Sequence, residues 1–199
     1  MSPRLNFIVG CTASGKSSLG VELARRLGGE IIAIDSMKVY RGMDIGTAKP
    51  SAAVREAVPH HLIDAVDPWE EFSVAQYVGL ADKAIEDIHA RGRKIFVVGG
   101  TPLYIKALSE GLFEGPGADP QTRERLQTVA QQEGTPALHE RLQQADPVAA
   151  GRIHRNDLRR LVHALEVFEL TGKPISTLQE QWDRERPRYD CQFLGLRWS

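Results

Sequence analysis

The sequence predicts an α/β protein with a parallel sheet, helices on both faces and a helical insertion, and three observations lead to this prediction. Short apolar runs alternate with helical segments over residues 1–118, which is typical of a parallel sheet covered by helices. The glycine-rich loop GCTASGKS joins the first apolar run to the first helix. From Asp119 onward, helix signals follow one another until a last apolar run, YDCQFLGL.

The elements of the first part are bounded by clear start and stop signals. Short apolar runs predict strands at Leu5–Val9, Glu30–Ile34, His61–Val66 and Lys94–Val98. Helical spacing and terminal signals predict three helices: SSLGVELARRL before Gly28–Gly29, SVAQYVGLADKAIEDIHARG with Ser73 as N-cap, and one that Gly99–Gly100–Thr101 opens. The stretch between Asp35 and Pro50 is rich in turn residues.

Residues 119–186 predict the helical insertion. An N-cap residue followed by proline marks three helix starts: Asp119–Pro120, Thr135–Pro136 and Asp146–Pro147. Gly134 and Gly172 mark helix ends, and a basic helix is expected over Asp157–Leu170. We therefore expect a core at 1–118, an insertion at 119–186 and a return strand of the core at 187–199.

Composition excludes several classes of protein. The 199 residues are 42% hydrophobic and 26% charged with a net charge of −1, which is typical of a soluble globular protein and not of one that is basic throughout. The two cysteines, Cys11 and Cys191, have no disulfide-framework or zinc spacing, which predicts a cytoplasmic location. No apolar stretch is long enough to span a membrane, and we expect a monomer.

The loop fits the pattern G-x-x-x-x-G-K-[ST] and predicts a P-loop NTPase-like fold that binds phosphate. Glycines let several backbone N–H groups point at one anion, and the following helix adds its positive N-terminal end. Lys16 is expected to reach the terminal phosphates, and the Ser17 hydroxyl is expected to bind Mg²⁺. The predicted diphosphate or nucleotide site is Gly10, Cys11, Thr12, Ala13, Ser14, Gly15, Lys16 and Ser17.

Phosphate binding alone does not indicate ATP hydrolysis. A P-loop NTPase normally has a carboxylate at the end of a neighbouring strand. The strand KIFVVGG ends in glycine, whereas EIIAID ends in Asp35. The pattern leaves open whether Asp35 serves a metal or acts as a base, and whether ATP or GTP binds the loop.

Five further segments resemble the tRNA dimethylallyltransferase family, and they follow the family's order along the chain. They are DSMKVYRGMDIGTAKP at 35–50, HHLID at 60–64, FSVAQY at 72–77, GGTPLYIKAL at 99–108 and DPVAAGRIHRNDLRRLVHALEVFELTGKP at 146–174. Four positions depart from the residues that are usual in the family. Family members usually have proline where Cys11 stands, glutamine at Lys38, glycine at Pro102 and proline at Arg155.

The resemblance implies a reaction and a set of residues. Dimethylallyl diphosphate would place its diphosphate in the loop with Mg²⁺, and the exocyclic amine of adenine 37 of tRNA, beside the anticodon, would attack the allylic carbon. Catalytic roles fall to Lys16, Asp35 as general base and Thr101. The residues expected to contact the tRNA anticodon stem-loop are Asp35, Ser36, Met37, Lys38, Thr101, Arg123, Arg159, Arg160, Leu161, Val162 and His163.

Other interpretations of the same residues stay open at this point. Asp35 and Thr101 could be caps without chemistry, and Arg123 a solvated helix charge. Whole-protein alternatives are an adenylate isopentenyltransferase, a small-molecule kinase with Asp35 as base, and an inactive fragment that only binds phosphate or RNA. The last arises because family members continue past residue 199. A metal pair at His60–His61 is disfavoured, because neighbouring strand residues face opposite ways.

Overall fold

The computed structural model describes residues 3–112, 115–179 and 187–197. These residues form two compact units, which we call the core unit (3–112 with 187–197) and the helical unit (115–179). The domain boundaries expected from the sequence, at 1–118, 119–186 and 187–199, stay a prediction. No helix within the described residues is long and apolar enough to cross a membrane.

A parallel sheet forms the centre of the core unit. Its strands are β1 (Arg4–Gly10), β2 (Gly29–Ile34), β3 (His60–His61), β4 (Lys94–Gly99) and β5 (Asp190–Leu196). Over the described residues the sheet has five strands in the order β3-β2-β4-β1-β5, and every pairing is parallel. All residues of β2 are buried, as expected for a strand covered on both faces. The predicted α/β fold is confirmed.

Helices pack on both faces of this sheet. The helices of this unit are α1 (Lys16–Leu27), α2 (Ala52–Ala57), α3 (Val74–Ala90) and α4 (Pro102–Glu110); α1, α3 and α4 cover the sheet, whereas α2 has no buried residue. Side chains alternate along a strand, so Ile8 packs with α1 on one face while Phe7 packs with α3 and α4 on the other. The Ser73 cap of α3 is confirmed: its hydroxyl accepts from the Gln76 N–H, and the Gln76 side chain accepts from the Ser73 N–H.

The return strand β5 is held to the core by polar contacts at its start. Asp82 on α3 accepts hydrogen bonds from Tyr189 Oη at 2.7 Å and from Arg188 Nη2 at 2.6 Å. Within the described residues β5 pairs with β1 alone, and Phe193 on it is 52% exposed. Burial and the Asp82 hydrogen bond raise the pKa of the Tyr189 phenol well above its usual range, so Tyr189 stays a neutral donor.

Between β2 and α3 the structure differs from the prediction in two details. The strand expected at His61–Val66 is only His60–His61, because Leu62 and Asp64 adopt positive φ angles of 62° and 55° that an extended strand does not allow. Helix α2 was not predicted, since six residues are too few to show a helical period. Its N-cap is Ser51, whose hydroxyl accepts from the Val54 N–H.

Residues 115–179 of the helical unit form five helices and no strand. They are α5 (Pro120–Glu133), α6 (Thr135–Ala145), α7 (Pro147–Arg152), α8 (Leu158–Thr171) and α9 (Ile175–Gln179). The caps at Asp119 and Asp146 are confirmed. The cap at Thr135 is wrong, because Gly134 alone separates α5 from α6 and makes Thr135 the first helical residue.

Asp146 joins two of these helices at the centre of the helical unit. It is 1% exposed, and its carboxylate accepts from the Ala149 N–H at the start of α7 at 2.9 Å. The same carboxylate accepts from the Ser176 N–H at 2.9 Å and from the Ser176 hydroxyl at 2.7 Å, at the start of α9. Each oxygen of this buried carboxyl group therefore has a hydrogen-bond donor.

Candidate active site

The phosphate loop between β1 and α1 has the curled backbone that the motif predicts. Gly15 caps α1 with a left-handed φ of 84°, and Ala13 also has a positive φ, of 63°. The Ser14 N–H donates to the Cys11 carbonyl at 3.3 Å, which closes the curl. Gly10 is required by close packing, since a Cβ there would lie 2.6 Å from the Leu196 carbonyl oxygen.

The side chains of the loop are suited to an oxyanion. Lys16 Nζ donates to the Cys11 carbonyl at 2.9 Å, which holds the ammonium over the loop with two further N–H groups to donate. The Ser14 hydroxyl is buried and has no hydrogen-bond partner among the described residues. A buried hydroxyl without a partner costs about 1–3 kcal/mol, and a phosphate oxygen would remove that cost. Ser17 is exposed at the start of α1, where a helix N-terminus favours negative charge.

Asp35 follows β2 and its carboxylate has one engaged oxygen. Oδ1 accepts the N–H groups of Met37 at 2.9 Å and Lys38 at 3.3 Å, so the turn after the strand fixes the side chain. Oδ2 has no hydrogen-bond partner in the described part of the chain, and Asp35 is half-buried. The arrangement leaves a held carboxylate with one oxygen available to accept a proton.

Thr101 is more than the N-cap of α4. Its hydroxyl makes no capping bond; instead Oγ1 accepts the N–H of Ser36 at 3.1 Å. The Thr101 N–H points to the Ile34 carbonyl at 3.4 Å, so the residue is tied twice to the end of β2. With Oγ1 already accepting, the hydroxyl hydrogen remains for donation to a ligand.

Glycines allow the three strand ends to approach each other closely. A Cβ on Gly99 would lie 2.3 Å from the Ile34 carbonyl oxygen. A Cβ on Gly100 would lie 3.0 Å from the Gly10 carbonyl oxygen and 3.9 Å from Lys16 Nζ. The ends of β1, β2 and β4 therefore bring together the phosphate loop, Asp35 and Thr101, which lie in three separate parts of the sequence.

A cavity of about 330 Å³ adjoins the loop on the α1 side of the sheet. Its lining is mainly apolar, with the polar groups of Ser17, Lys38 and His60 among it. Burial lowers the pKa of the Lys38 ammonium; Asp35 opposes this and Lys16 adds to it. The Lys38 ammonium has no hydrogen-bond or ion-pair partner among the residues that the structure describes. A half-buried cation thus lies beside the phosphate loop without a direct ion-pair partner among the described residues, although the charge of Asp35 acts on it.

The loop after Lys38 is anchored by Lys49, a residue whose role the motif did not reveal. Its side chain is 2% exposed, and Nζ donates to the Tyr40 carbonyl at 2.6 Å, Asp44 at 2.9 Å and Asp64 at 2.6 Å. These partners outweigh the cost of burial and raise the pKa of the ammonium. The run DIGTAKP contains both Asp44 and Lys49, so their pairing could have been predicted from the sequence. Asp64 is 15 residues from Lys49 in the sequence, and no local pattern indicates that contact.

The predicted RNA-contacting residues of the helical unit divide into exposed and buried side chains. Arg159 and His163, four positions apart on α8, are exposed on one face, and Arg160 lies 3.5 Å from Asp157. Leu161 and Val162 are only 0% and 5% exposed. Their side chains belong to the apolar core of the unit, and the prediction that these two residues contact RNA stays a prediction.

Arg123, predicted to contact RNA, pairs with a buried carboxylate. Its guanidinium donates from Nε and Nη2 to Glu166 at 2.8 and 3.0 Å. The sequence did not reveal Glu166 as the partner of Arg123, because 43 residues separate the two.

The adjacent histidines His60 and His61 make separate contacts. His60 contacts the Val58 carbonyl and His61 contacts Glu30, so the two rings have different partners. The described residues contain no cluster of three His, Cys, Asp or Glu that could hold a metal ion.

Two family models match this chain, each over a different range of residues. A family described as IPP transferase matches residues 38–199, and one described as isopentenyl transferase matches residues 3–64. The tRNA dimethylallyltransferase of Geobacter metallireducens is 53% identical over 193 residues, which are 97% of this chain and 62% of that protein. The chain therefore spans less than two thirds of the length of this relative.

Two solved structures share the fold. The tRNA isopentenylpyrophosphate transferase of Bacillus halodurans is 46% identical with a TM-score of 0.56, covering 91% of this chain and 64% of that one. A eukaryotic dimethylallyltransferase acting on tRNA is 32% identical with a TM-score of 0.81, covering 98% of this chain and 48% of that one.

Proposed function

The chain belongs to the IPP transferase family, and on that basis we propose that it transfers a dimethylallyl group from dimethylallyl diphosphate to the exocyclic amine of an adenine in tRNA. The observation that carries the proposal is the hydrogen bond from the Ser36 N–H to Thr101 Oγ1 at 3.1 Å. It ties the turn of Asp35 to the end of β4, beside the phosphate loop. A diphosphate-binding loop, a base and a hydroxyl donor are thereby available at one edge of the sheet.

The phosphate loop would hold the diphosphate that becomes the leaving group. Its inward N–H groups, Lys16 and the helix N-terminus offer positive charge, and the Ser14 hydroxyl lacks the partner that a phosphate oxygen would supply. Mg²⁺ suits the same place, because it usually binds substrate phosphates with one or two protein ligands, here Ser17. When bound, it would add positive charge that stabilises the departing diphosphate.

Asp35 would act as the general base. The adenine nitrogen forms a bond to the allylic carbon as the carbon–oxygen bond to diphosphate breaks, and the nitrogen must lose a proton. The free Oδ2 of Asp35 is the available acceptor, while the N–H groups of Met37 and Lys38 hold Oδ1. Thr101 would donate its hydroxyl hydrogen to the diphosphate or orient the adenine.

The tRNA acceptor would be adenine 37, flipped out of the anticodon loop toward Asp35, since an enzyme cannot reach a stacked base. Ser36, Met37 and Lys38 would contact the loop in the core unit; in the helical unit, Arg123, Arg159, Arg160 and His163 would contact its backbone. We propose a monomer, because one chain supplies every catalytic residue named here. A cytoplasmic enzyme fits a tRNA substrate.

A free adenine nucleotide is the second acceptor that the chemistry allows, although the comparisons do not favour it. The chain would be incubated with radiolabelled dimethylallyl diphosphate, Mg²⁺ and, in separate reactions, unmodified tRNA, AMP and ATP. We expect label on tRNA alone. Label on AMP or ATP alone would contradict the proposed acceptor. A folded chain that labels nothing, even though it binds the donor, would indicate an inactive fragment.

A further inference from the structure

Glu166 is a buried carboxylate where the start of α5 lies against α8. Its side chain is 2% exposed, and Oε1 accepts the backbone N–H of Asp119 at 2.7 Å. Arg123 donates from Nε to Oε1 at 2.8 Å and from Nη2 to Oε2 at 3.0 Å. Burial alone would raise the pKa of this carboxyl, but these donors outweigh it and lower the pKa, so Glu166 is charged.

The bidentate pair leaves one edge of the Arg123 guanidinium unused. The group has five N–H donors in a rigid planar fork, and Glu166 takes one from Nε and one from Nη2. The other edge, made by Nη1 and Nη2, has no acceptor among residues 115–179, and the side chain is 42% exposed. That edge has the spacing that binds two oxygens of a phosphate.

Glu166 also contacts His163, one turn earlier on the same helix. Nδ1 of His163 lies 3.5 Å from Oε2 of Glu166, and the ring is 48% exposed. Within the described residues, the histidine has no other polar partner. One buried carboxylate therefore contacts a partly exposed guanidinium on α5 and a partly exposed imidazole ring on α8.

We propose that Glu166 is a positioning residue, which holds the Arg123 guanidinium so that its free Nη1–Nη2 edge donates to one stretch of RNA backbone. The inference rests on the proposed tRNA function and deepens it. Arg123 and Glu166 cancel each other in charge, so the pair adds little long-range attraction. Its contribution is a fixed donor geometry, which reduces the conformational entropy lost when the RNA binds.

The variant E166Q tests this because charge and positioning predict opposite results. Losing a negative charge makes the surface more basic by one unit, which by itself would strengthen RNA binding and steepen its salt dependence. Loss of positioning predicts weaker binding and a shallower dependence. We expect the dissociation constant for a fluorescent anticodon stem-loop RNA to rise about tenfold and the salt slope to fall by about one phosphate contact.

Glu169 provides the matched control. It pairs with Arg125, and the two also join α8 to α5, but both are more exposed than Glu166 and neither touches Arg123 or His163. E169Q removes the same charge without removing a contact of Arg123, so RNA binding should be unchanged or slightly stronger. In the double variant R123A/E166Q, the loss of affinity should be no greater than in R123A alone, because Glu166 acts through Arg123. The KM for tRNA should rise in E166Q while kcat and the KM for dimethylallyl diphosphate stay constant.

The possible outcomes separate this proposal from the proposed function. Folded E166Q that binds RNA as tightly as the parent chain, or more tightly, overturns the positioning role alone. A parent chain that binds no RNA overturns the tRNA function and the positioning role with it. If circular dichroism shows that E166Q is unfolded, E166D replaces it. This variant keeps the charge but withdraws the carboxylate by one methylene, and it should weaken RNA binding in the same direction.

Discussion

In the core unit Asp35 and Thr101 are held by backbone N–H groups, whereas in the helical unit Arg123 and His163 are held by another side chain. Backbone groups at strand ends have positions that the sheet itself determines. A side-chain pair between helices depends on one carboxylate and its charge. The candidate catalytic site should therefore tolerate changes in the side chains around it better than the candidate RNA surface does.

Among changes that separate the two units, substitution of Lys16 should have the largest effect on the transfer reaction. K16M removes the ammonium over the phosphate loop but keeps the length and apolar body of the side chain. Because a preorganised charge on the leaving group is lost, we expect kcat/KM for transfer to tRNA to fall by about 10²–10³. Affinity for anticodon stem-loop RNA should not change, and steady-state kinetics with anisotropy measurements checks both. An equal loss of RNA affinity would contradict the division of roles between the units.

The helical unit should lose the most stability when Asp146 is changed. D146A removes the cap of α7 and leaves the N–H groups of Ala149 and Ser176 without acceptors. We expect the free energy of unfolding in urea to fall by about 2–4 kcal/mol. The control E133Q breaks the exposed Glu133–Arg141 ion pair of the same unit and should cost less than about 1 kcal/mol. Equal effects would mean that the buried Asp146 contacts add no more stability than an exposed ion pair does.

The smallest effect concerns pH. The folded-state pKa of Glu166 is lowered below its ordinary value of 4.5, so its stabilising contribution is fully present above that value and is lost as pH falls through the folded pKa. The difference in unfolding free energy between the parent chain and E166Q should be constant from neutral pH down to about 5 and should shrink below 4.5. Urea titrations at several pH values measure it. A difference that grows on acidification would contradict the assigned charge state.

The sequence predicted the parts of the molecule whose signals are local. The phosphate loop, the Ser73 N-cap and the alternation of strands and helices each lie within a short contiguous stretch, and their structures follow the prediction. The Ser36–Thr101 hydrogen bond joins residues 65 positions apart, and the Arg123–Glu166 pair joins residues 43 apart. Those contacts depend on how elements pack, and one sequence carries no spacing signal for them.

The sequence also did not predict where a short strand ends, or which side chains of a motif are exposed. The positive φ angles of Leu62 and Asp64 ended β3 early, although neither residue is a glycine. Leu161 and Val162 lie between exposed basic residues on α8, yet the helical period turns them into the core. A motif assigns a role to a stretch of chain, whereas the helix geometry decides which of its side chains can perform it.

The most direct test of the account is a single-turnover measurement on D35N. Asparagine keeps an oxygen that can accept from the Met37 and Lys38 N–H groups, but it cannot take a proton at neutral pH. With excess enzyme, radiolabelled dimethylallyl diphosphate and tRNA, we expect the transfer rate to fall by about 10²–10⁴ while the affinity for dimethylallyl diphosphate stays within a factor of about two. The control D87N changes an exposed carboxylate on α3 and should transfer at the parent rate. A D35N variant that transfers at the parent rate would contradict Asp35 as the general base at the edge of the sheet.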